Sequence, residues 1–373
     1  MHVVMVNHGY RPLPPEAADS PALVIDQLAV ALTRRGVRVT TICGPARARP
    51  PAYETVELAP SRAARWGGTS VGEVLFGLDA RRAVRVLGAD VIHHHASTPA
   101  AVGARPRGIP TILSYAAPVG ATGRAATWGA LSPLSELVER VACRRADHVV
   151  AVSRLTEGFL RTRYHVPTGR VTVIPNGVDT SLFAPGADEP TDRTIACVAR
   201  LSPYKDQATL VAALGQPDLA GTGVRLLLVG PPDDAAYAAS LRRLAADLGV
   251  QGGLEIAGRM DFGRLPDLYR SASVVAAPSR AEGMPLALLE AMSCGRPVVA
   301  SAIPQHLEVG HDAGVSFVPP GDAAAMAKAI AGLLDDAGAR VRAGIAARRT
   351  AIERYSWDAV AERFERLYRD VVG

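Results

Sequence analysis

Two doubly wound α/β domains are the architecture this sequence predicts, and three observations carry the expectation. Short β-rich apolar runs alternate with helical stretches rich in Ala, Leu and Arg, the rhythm of βαβ units on parallel sheet. That rhythm is interrupted once, by a polar stretch containing Pro and Gly that runs to Thr191, and then resumes. At 373 residues the chain has the length of two domains, each large enough for its own core.

The elements follow in order. In the first half, strands are expected at residues 3–6, 37–43, 91–95, 111–114, 148–152 and 171–174, with helices between them, notably 21–35 and 133–146. Ser20 reads as the N-cap of the first helix and Pro21 as its first helical residue. Next comes Pro175-Asn176-Gly177-Val178-Asp179, whose Asn-Gly step tolerates a positive φ. In the second half, strands are expected at 194–199, 224–229, 254–257, 273–277, 297–300 and 314–318. Helices at 323–335 and 339–372 close the chain, the last broken near Tyr355-Ser356-Trp357. The expected division is 1–180, 181–354 and a closing helix 355–373. Each domain should bind ligands at the carboxyl ends of its strands, with the chemistry in the cleft between them.

Composition excludes several function classes. Hydrophobic residues make up 48% and charged residues 21%, which fits a folded enzyme. No run approaches the roughly 18 apolar residues that span a bilayer, and the start reads as a strand, not a signal peptide. The four cysteines, Cys43, Cys143, Cys197 and Cys294, form no C-x-x-C pair, so reduced thiols in a cytoplasmic protein are expected. Of 41 basic residues only Lys205 and Lys328 are lysine, and neither has the setting of a phosphate-binding P-loop. The zinc-protease and G-x-G-x-x-G signatures are absent as well. Residues 1–180 hold 21 arginines against 13 acidic residues, and the second half is slightly acidic. A basic first domain suits an anionic acceptor or peripheral contact with the inner face of a membrane. Nucleic acid is disfavoured, because aromatics are only 5% and no basic-aromatic module is visible.

Two motifs carry the chemistry. In residues 279–301, Glu282 and Gly283 sit in a loop after an apolar strand, Pro285 fits the first turn of a helix, and Gly295 closes it. Free N–H groups at such a helix start suit a diphosphate. Glu282 and Glu290 would repel phosphate and are better placed to accept hydrogen bonds from sugar hydroxyls. In the second motif a strand ends at Arg200, and Lys205 stands at the mouth of the next helix. Two cations there can bind a pyrophosphate and stabilise it as a leaving group.

Glu282 and Glu290, with Arg200 and Lys205 upstream, resemble retaining glycosyltransferase family 4, and the similarity extends over nearly the whole chain. The resemblance implies the GT-B fold: two Rossmann-like domains facing across a cleft, with the closing helix crossing back to the first. It implies a metal-independent, retaining transfer from a UDP- or GDP-sugar, which serves as co-substrate with no other cofactor. No Asp-x-Asp metal motif occurs. Arg200 and Lys205 would bind the diphosphate, Glu282 the transferred sugar, and Glu290 the ribose. Gly283, Met284, Pro285 and Leu286 would line the sugar and phosphates, and Gly258, Arg259 and Met260 the nucleoside base.

The first domain departs from the family pattern twice. Asp19 and Ser20 stand where the family has a Gly-Gly pair, and Ala116 where it has a histidine at the reaction centre. Acceptor-side candidates are therefore His8, Gly9, Asp19, Ser20, His94, Tyr115, Ala116 and Ser153. In His93-His94-His95, His93 and His95 are expected to be satisfied and structural. His8 or His94 would supply a polar group near the missing histidine. Trp66 and Trp128 lie in segments suited to covering an acceptor or touching a membrane interface. The acceptor stays open between a cell-envelope or lipid-linked glycan and a small specialised metabolite such as an aminocyclitol or thiol. A nucleotide-sugar epimerase and a catalytically silent sugar-nucleotide-binding partner are the alternatives from other classes.

Overall fold

A computed structural model describes residues 1–14, 20–45, 51–60, 68–116 and 132–373. The chain forms two compact units, Met1–Gly177 with Trp357–Gly373, and Val178–Ser356. The last seventeen residues thus return to the first unit.

The first unit is a seven-stranded parallel sheet in the order β3-β2-β1-β4-β5-β6-β7. Its strands are β1 (His2–Val6), β2 (Arg38–Cys43), β3 (Glu54–Glu57), β4 (Val91–His94), β5 (Thr111–Tyr115), β6 (His148–Ala151) and β7 (Val171–Val173). Only β3 was not foreseen. Its sequence, Glu-Thr-Val-Glu, lacks an apolar run because it pairs only with β2 at the sheet edge. Central β1 is buried on both sides. Val3 and Met5 join one cluster and Val4 and Val6 another, as the two-residue period of a strand requires.

Helix α1 (Ser20–Arg34) and the final helix pack together on the first of these faces. Ser20 lies inside α1, so the helix starts one residue earlier than expected. Helices α2 (Gly68–Val86), α3 (Ser97–Val102) and α4 (Ser132–Arg145) pack in sequence on the other face. Helix α5 (Arg154–Arg163) follows β6.

The second unit repeats the plan with six parallel strands in the order β10-β9-β8-β11-β12-β13. They are β8 (Thr194–Val198), β9 (Arg225–Val229), β10 (Leu254–Gly258), β11 (Val274–Ala277), β12 (Val298–Ser301) and β13 (Ser316–Val318). Its helices are α6 (Gln207–Leu214), α7 (Ala235–Asp247), α8 (Leu265–Ser271), α9 (Leu286–Ser293), α10 (Pro304–Gly310), α11 (Ala323–Asp335) and α12 (Ala337–Tyr355).

Helix α13 (Trp357–Val372) follows a one-residue break at Ser356, where the sequence predicts one. It buries Trp357, Val360, Phe364, Leu367 and Tyr368 in the first unit, each apolar side chain contributing roughly 1.5–3 kcal/mol. Gly177 serves this docking. A Cβ there would sit 2.5 Å from the Trp357 ring, and neither Asn176 nor Gly177 has a positive φ. Gly177 is thus required by close approach, not by turn geometry.

Candidate functional site

In an open parallel sheet, ligands bind beyond the carboxyl ends of the strands where the strand order reverses. In the second unit that switch lies between β8 and β11. Both chemistry-bearing motifs emerge there: Arg200 and Lys205 follow β8, and Ser279 to Glu282 follow β11.

The β8 end is shaped by a close backbone approach. Gly230 has φ +146°, and a Cβ on it would lie 2.0 Å from the Ala199 carbonyl oxygen. Its N–H donates to the Gly258 carbonyl at 2.7 Å, joining the ends of β8, β9 and β10. Buried Gln207 donates to the Arg200 carbonyl at 2.8 Å. A single tight turn, Pro203–Lys205, then delivers Lys205, and Asp206 turns the chain into α6 with a left-handed φ of +53°. The Asp206 carboxylate is held by Thr209 Oγ1 at 2.9 Å and Arg280 Nε at 2.8 Å, so it binds the two loops together.

The Lys205 ammonium reaches both carboxylate oxygens of Glu282 at 2.6 Å. Ser279 Oγ donates to Glu282 Oε1 at 2.6 Å, and Gln305 Nε2 donates to the Glu282 carbonyl at 2.6 Å. The pair is sheltered, with side-chain exposures of 16% and 10%. Arg200 is more open. It pairs with Asp233 at 2.9 Å and donates to the Tyr204 hydroxyl at 3.1 Å. The Lys205 ammonium lies 5.5 Å from the centre of the same Tyr204 ring, so both cations adjoin Tyr204. Ser279, Gln305, Tyr204, Asp206 and Asp233 were not singled out from sequence. Their residue types are too common to stand out, and only folding brings them to Lys205.

Helix α9 differs from expectation at its start. Pro285 is the cap residue before the helix and carries no N–H, and the Leu286 N–H is taken by the Met284 carbonyl at 3.0 Å. Two of the expected anion-binding donors are therefore gone, which leaves more of an anion's charge to Lys205 and Arg200. The helix end is as expected. Gly295 has φ +66°, with Gly295 N–H on the Met292 carbonyl and Arg296 N–H on the Ala291 carbonyl, both at 3.0 Å. Glu290 is half-buried and accepts from the Tyr269 hydroxyl at 2.8 Å. Burial pushes its carboxyl up to about 7, and the Tyr269 hydrogen bond pulls the other way. Gly258 closes β10 with φ +71°, Arg259 is exposed, and Met260 packs partly on the core.

In the first unit the matching switch lies between β1 and β4. His8 and Gly9 follow β1 there, organised by Asn7, which is fully buried. Asn7 accepts from the His8 N–H at 2.7 Å and donates to the Arg11 carbonyl at 3.1 Å. The scarcity of asparagine in the chain was a signal for this residue.

His93 is structural as expected, its ring nitrogens 2.8 Å from the Tyr368 hydroxyl and the Ser114 hydroxyl. Burial lowers it to about 3. His95 is less fully satisfied: among the described residues its buried Nε2 has no hydrogen-bond partner, and its ring lies 4.0 Å from that of His93. Three acceptor-side candidates have side chains committed to the interior. His94 is 4% exposed and lowered by burial to about 4. Tyr115 donates to buried Glu139 at 2.7 Å. Ser153 caps α5 by accepting from the Thr156 N–H. Ala116 is exposed at the end of β5. Asp19, Trp66, Trp128 and the Ser20 side chain lie outside what the structure describes.

A family model described as Glycosyltransferase Family 4 matches residues 22–182, and one described as Glycosyl transferases group 1 matches residues 192–336. The chain belongs to glycosyltransferase family 4. The D-inositol 3-phosphate glycosyltransferase of Acidothermus cellulolyticus is 33% identical to this family 4 chain over 250 residues, 61% of this chain and 55% of that protein. Three such relatives are covered over 40%, 57% and 55% of their length, so the chain spans about half of the curated relatives it matches. Sucrose-phosphate synthase from Thermosynechococcus elongatus superposes with a TM-score of 0.77 at 25% identity, over 100% of this chain and 99% of that one. HepE of Anabaena, in complex with UDP-glucose, superposes with a TM-score of 0.76 at 18% identity, over 99% and 100% of the two chains, a likeness of fold.

Proposed function

We propose that this family 4 member transfers a sugar from a UDP- or GDP-sugar to an acceptor, with the anomeric configuration retained and no metal required. One observation carries the reading: Lys205, Arg200 and Glu282 converge at the carboxyl ends of β8 and β11. The family relatives named as glycosyltransferases support it.

In this reading the donor diphosphate takes the Lys205 ammonium from Glu282 and the Arg200 guanidinium from Asp233. The freed Glu282 carboxylate then accepts hydrogen bonds from hydroxyls of the transferred sugar, and Glu290 accepts from the ribose. As the glycosidic bond breaks, charge grows on the departing diphosphate, and the two cations stabilise that charge most strongly there. The acceptor attacks the face the diphosphate leaves, and no protein nucleophile is assigned. The acceptor is a lipid-linked or cell-envelope glycan, or a small metabolite.

The test is a thermal-shift screen against UDP- and GDP-sugars, repeated with Glu282→Ala and Lys205→Ala. Nucleotide-dependent stabilisation in the parent and its loss in Lys205→Ala are expected. No stabilisation by any nucleotide defeats the donor assignment. Conversion of the donor alone, without an acceptor, favours an isomerase instead.

A further inference from the structure

Helix α12 buries a small-residue side, Gly344, Ala347 and Ala351, against α9. A Cβ on Gly344 would lie 2.1 Å from the Gly295 carbonyl oxygen, so the helix meets the turn after α9 backbone to backbone. The neighbouring stripe of α12, Val341, Ile345, Arg348 and Ile352, borders a cavity of about 460 Å³ in the second unit. Its three aliphatic side chains are uncovered, with Val341 40%, Ile345 65% and Ile352 43% exposed.

Arg296 lines the same cavity. Its side chain is 4% exposed, and its Nη1 and Nη2 donate to the two carboxylate oxygens of Glu189 at 3.2 and 2.8 Å. The Glu189 side chain is 47% exposed. Among the described residues the buried Nε of Arg296 has no hydrogen-bond partner. Arg348 donates through Nη1 to the Phe183 and Ser293 carbonyls at 2.9 and 2.7 Å, which leaves its other nitrogens without a partner among the described residues. The buried side of the cavity is therefore short of acceptors.

The Arg296 fork already shows which acceptor it takes. Glu189 lies in the segment before β8, and its half-exposed carboxylate can pass into water at little cost, whereas a buried guanidinium left unpaired is costly. A ligand carboxylate can replace Glu189 in one exchange, and an apolar body attached to it would cover the aliphatic stripe that Glu189 leaves exposed. Exposed Asp188 and Glu353 also border the cavity, which disfavours a dianion such as a phosphate ester. The volume is that of a small-molecule site. None of these residues belongs to the donor site. The cavity adjoins the carboxyl end of α9, and the Glu282–Pro285 loop precedes its amino end, roughly 12 Å away along the helix.

We infer that this cavity binds a small monocarboxylate with an aliphatic body, its carboxylate on Arg296 in place of Glu189 and its apolar part on Val341, Ile345 and Ile352. The inference goes beyond the transferase reading and does not depend on it.

Octanoate is the probe, titrated into the full chain by calorimetry beside octan-1-ol and octylammonium. Saturable binding of octanoate at one site is expected. Octan-1-ol should bind about 10- to 150-fold more weakly, having lost a hydrogen bond between charged groups, and octylammonium should not bind. Ile345→Ser, at an exposed position, should weaken octanoate about fivefold or more while the melting temperature holds. Glu189→Gln should tighten it roughly fivefold, because the carboxylate that competes for Arg296 is gone. Lys205→Ala should leave octanoate binding as in the parent. Absence of saturable binding, equal binding of octan-1-ol, an affinity that Ile345→Ser leaves unchanged, or binding that is no tighter in Glu189→Gln overturns the inference. So does loss of octanoate binding in Lys205→Ala, which would put the probe in the donor site. A dimer of the parent that Ile345→Ser dissociates would assign the cavity face to a second copy instead.

Discussion

Replacing Lys205 with Met removes an ammonium and keeps the volume of its stem. In the free protein this breaks the pair to Glu282, both of whose oxygens lie 2.6 Å from Nζ. A fully buried pair loses about 3–5 kcal/mol when one partner is removed, and an exposed pair about 0–1 kcal/mol. With 16% and 10% of the side chains exposed, the expected loss is about 2 kcal/mol, or roughly 4–8 °C in the melting of a unit of this size. Binding should suffer more. Hydrogen bonds to charged groups contribute about 1.5–3 kcal/mol, so affinity for UDP or GDP should fall roughly 10- to 150-fold. Glu282→Gln separates the roles. It should cost similar stability but keep bare-nucleotide affinity within about threefold, because it frees Lys205, while weakening the nucleotide sugar. The double variant should cost less than the sum of the two, by about 1–2 kcal/mol. Titration calorimetry with nucleotide and nucleotide sugar, beside urea melts, supplies all four corners. A Lys205→Met protein that binds nucleotide within twofold of the parent refutes the phosphate role.

Glu290 has a carboxyl raised from 4.5 to about 7, so its contribution to stability is full below pH 4.5 and is lost as pH rises towards 7. Glu290→Gln should remove that slope in urea melts taken between pH 4.5 and 7.5. If Glu290 meets the ribose as a carboxylate, nucleotide binding near pH 6.5 should release a proton, seen as a dependence of binding heat on buffer ionisation heat. Gly230→Ala places a Cβ 2.0 Å from the Ala199 carbonyl. It should cost about 3 kcal/mol or more and displace Arg200, weakening nucleotide in the same preparation; an unchanged melt would contradict the close approach. His93→Ala leaves the Tyr368 and Ser114 hydroxyls without their shared partner. A loss of about 2–4 kcal/mol is expected in urea unfolding.

The donor half of the site was largely legible in the chain, because its parts are local. Glu282, Gly283 and Pro285 sit in one strand-loop-helix segment, and Arg200 and Lys205 in another. Lysine is so rare here that Lys205 stood out. The acceptor candidates were less legible. Strand ends point alternately to two faces, so adjacent histidines meet opposite fates: His93 bonds to Tyr368 on α13, while His94 is buried on the other side. Tyr115 joined the candidates as the residue directly before Ala116, but a buried carboxylate, Glu139, holds its hydroxyl.

By itself the sequence determined the alternation of strands and helices, two parallel sheets, the break before α13 and the residue types of the donor motifs, since periodicity and turn chemistry are local properties. The tertiary structure decided which groups meet. Lys205 and Glu282 are 77 residues apart, and only the pairing of β8 with β11 brings ammonium to carboxylate. It also decided why Gly177 is glycine, through a tryptophan 180 residues further on. Spacing along the chain carries no information about such meetings, because they follow from how sheets order their strands and bury their faces.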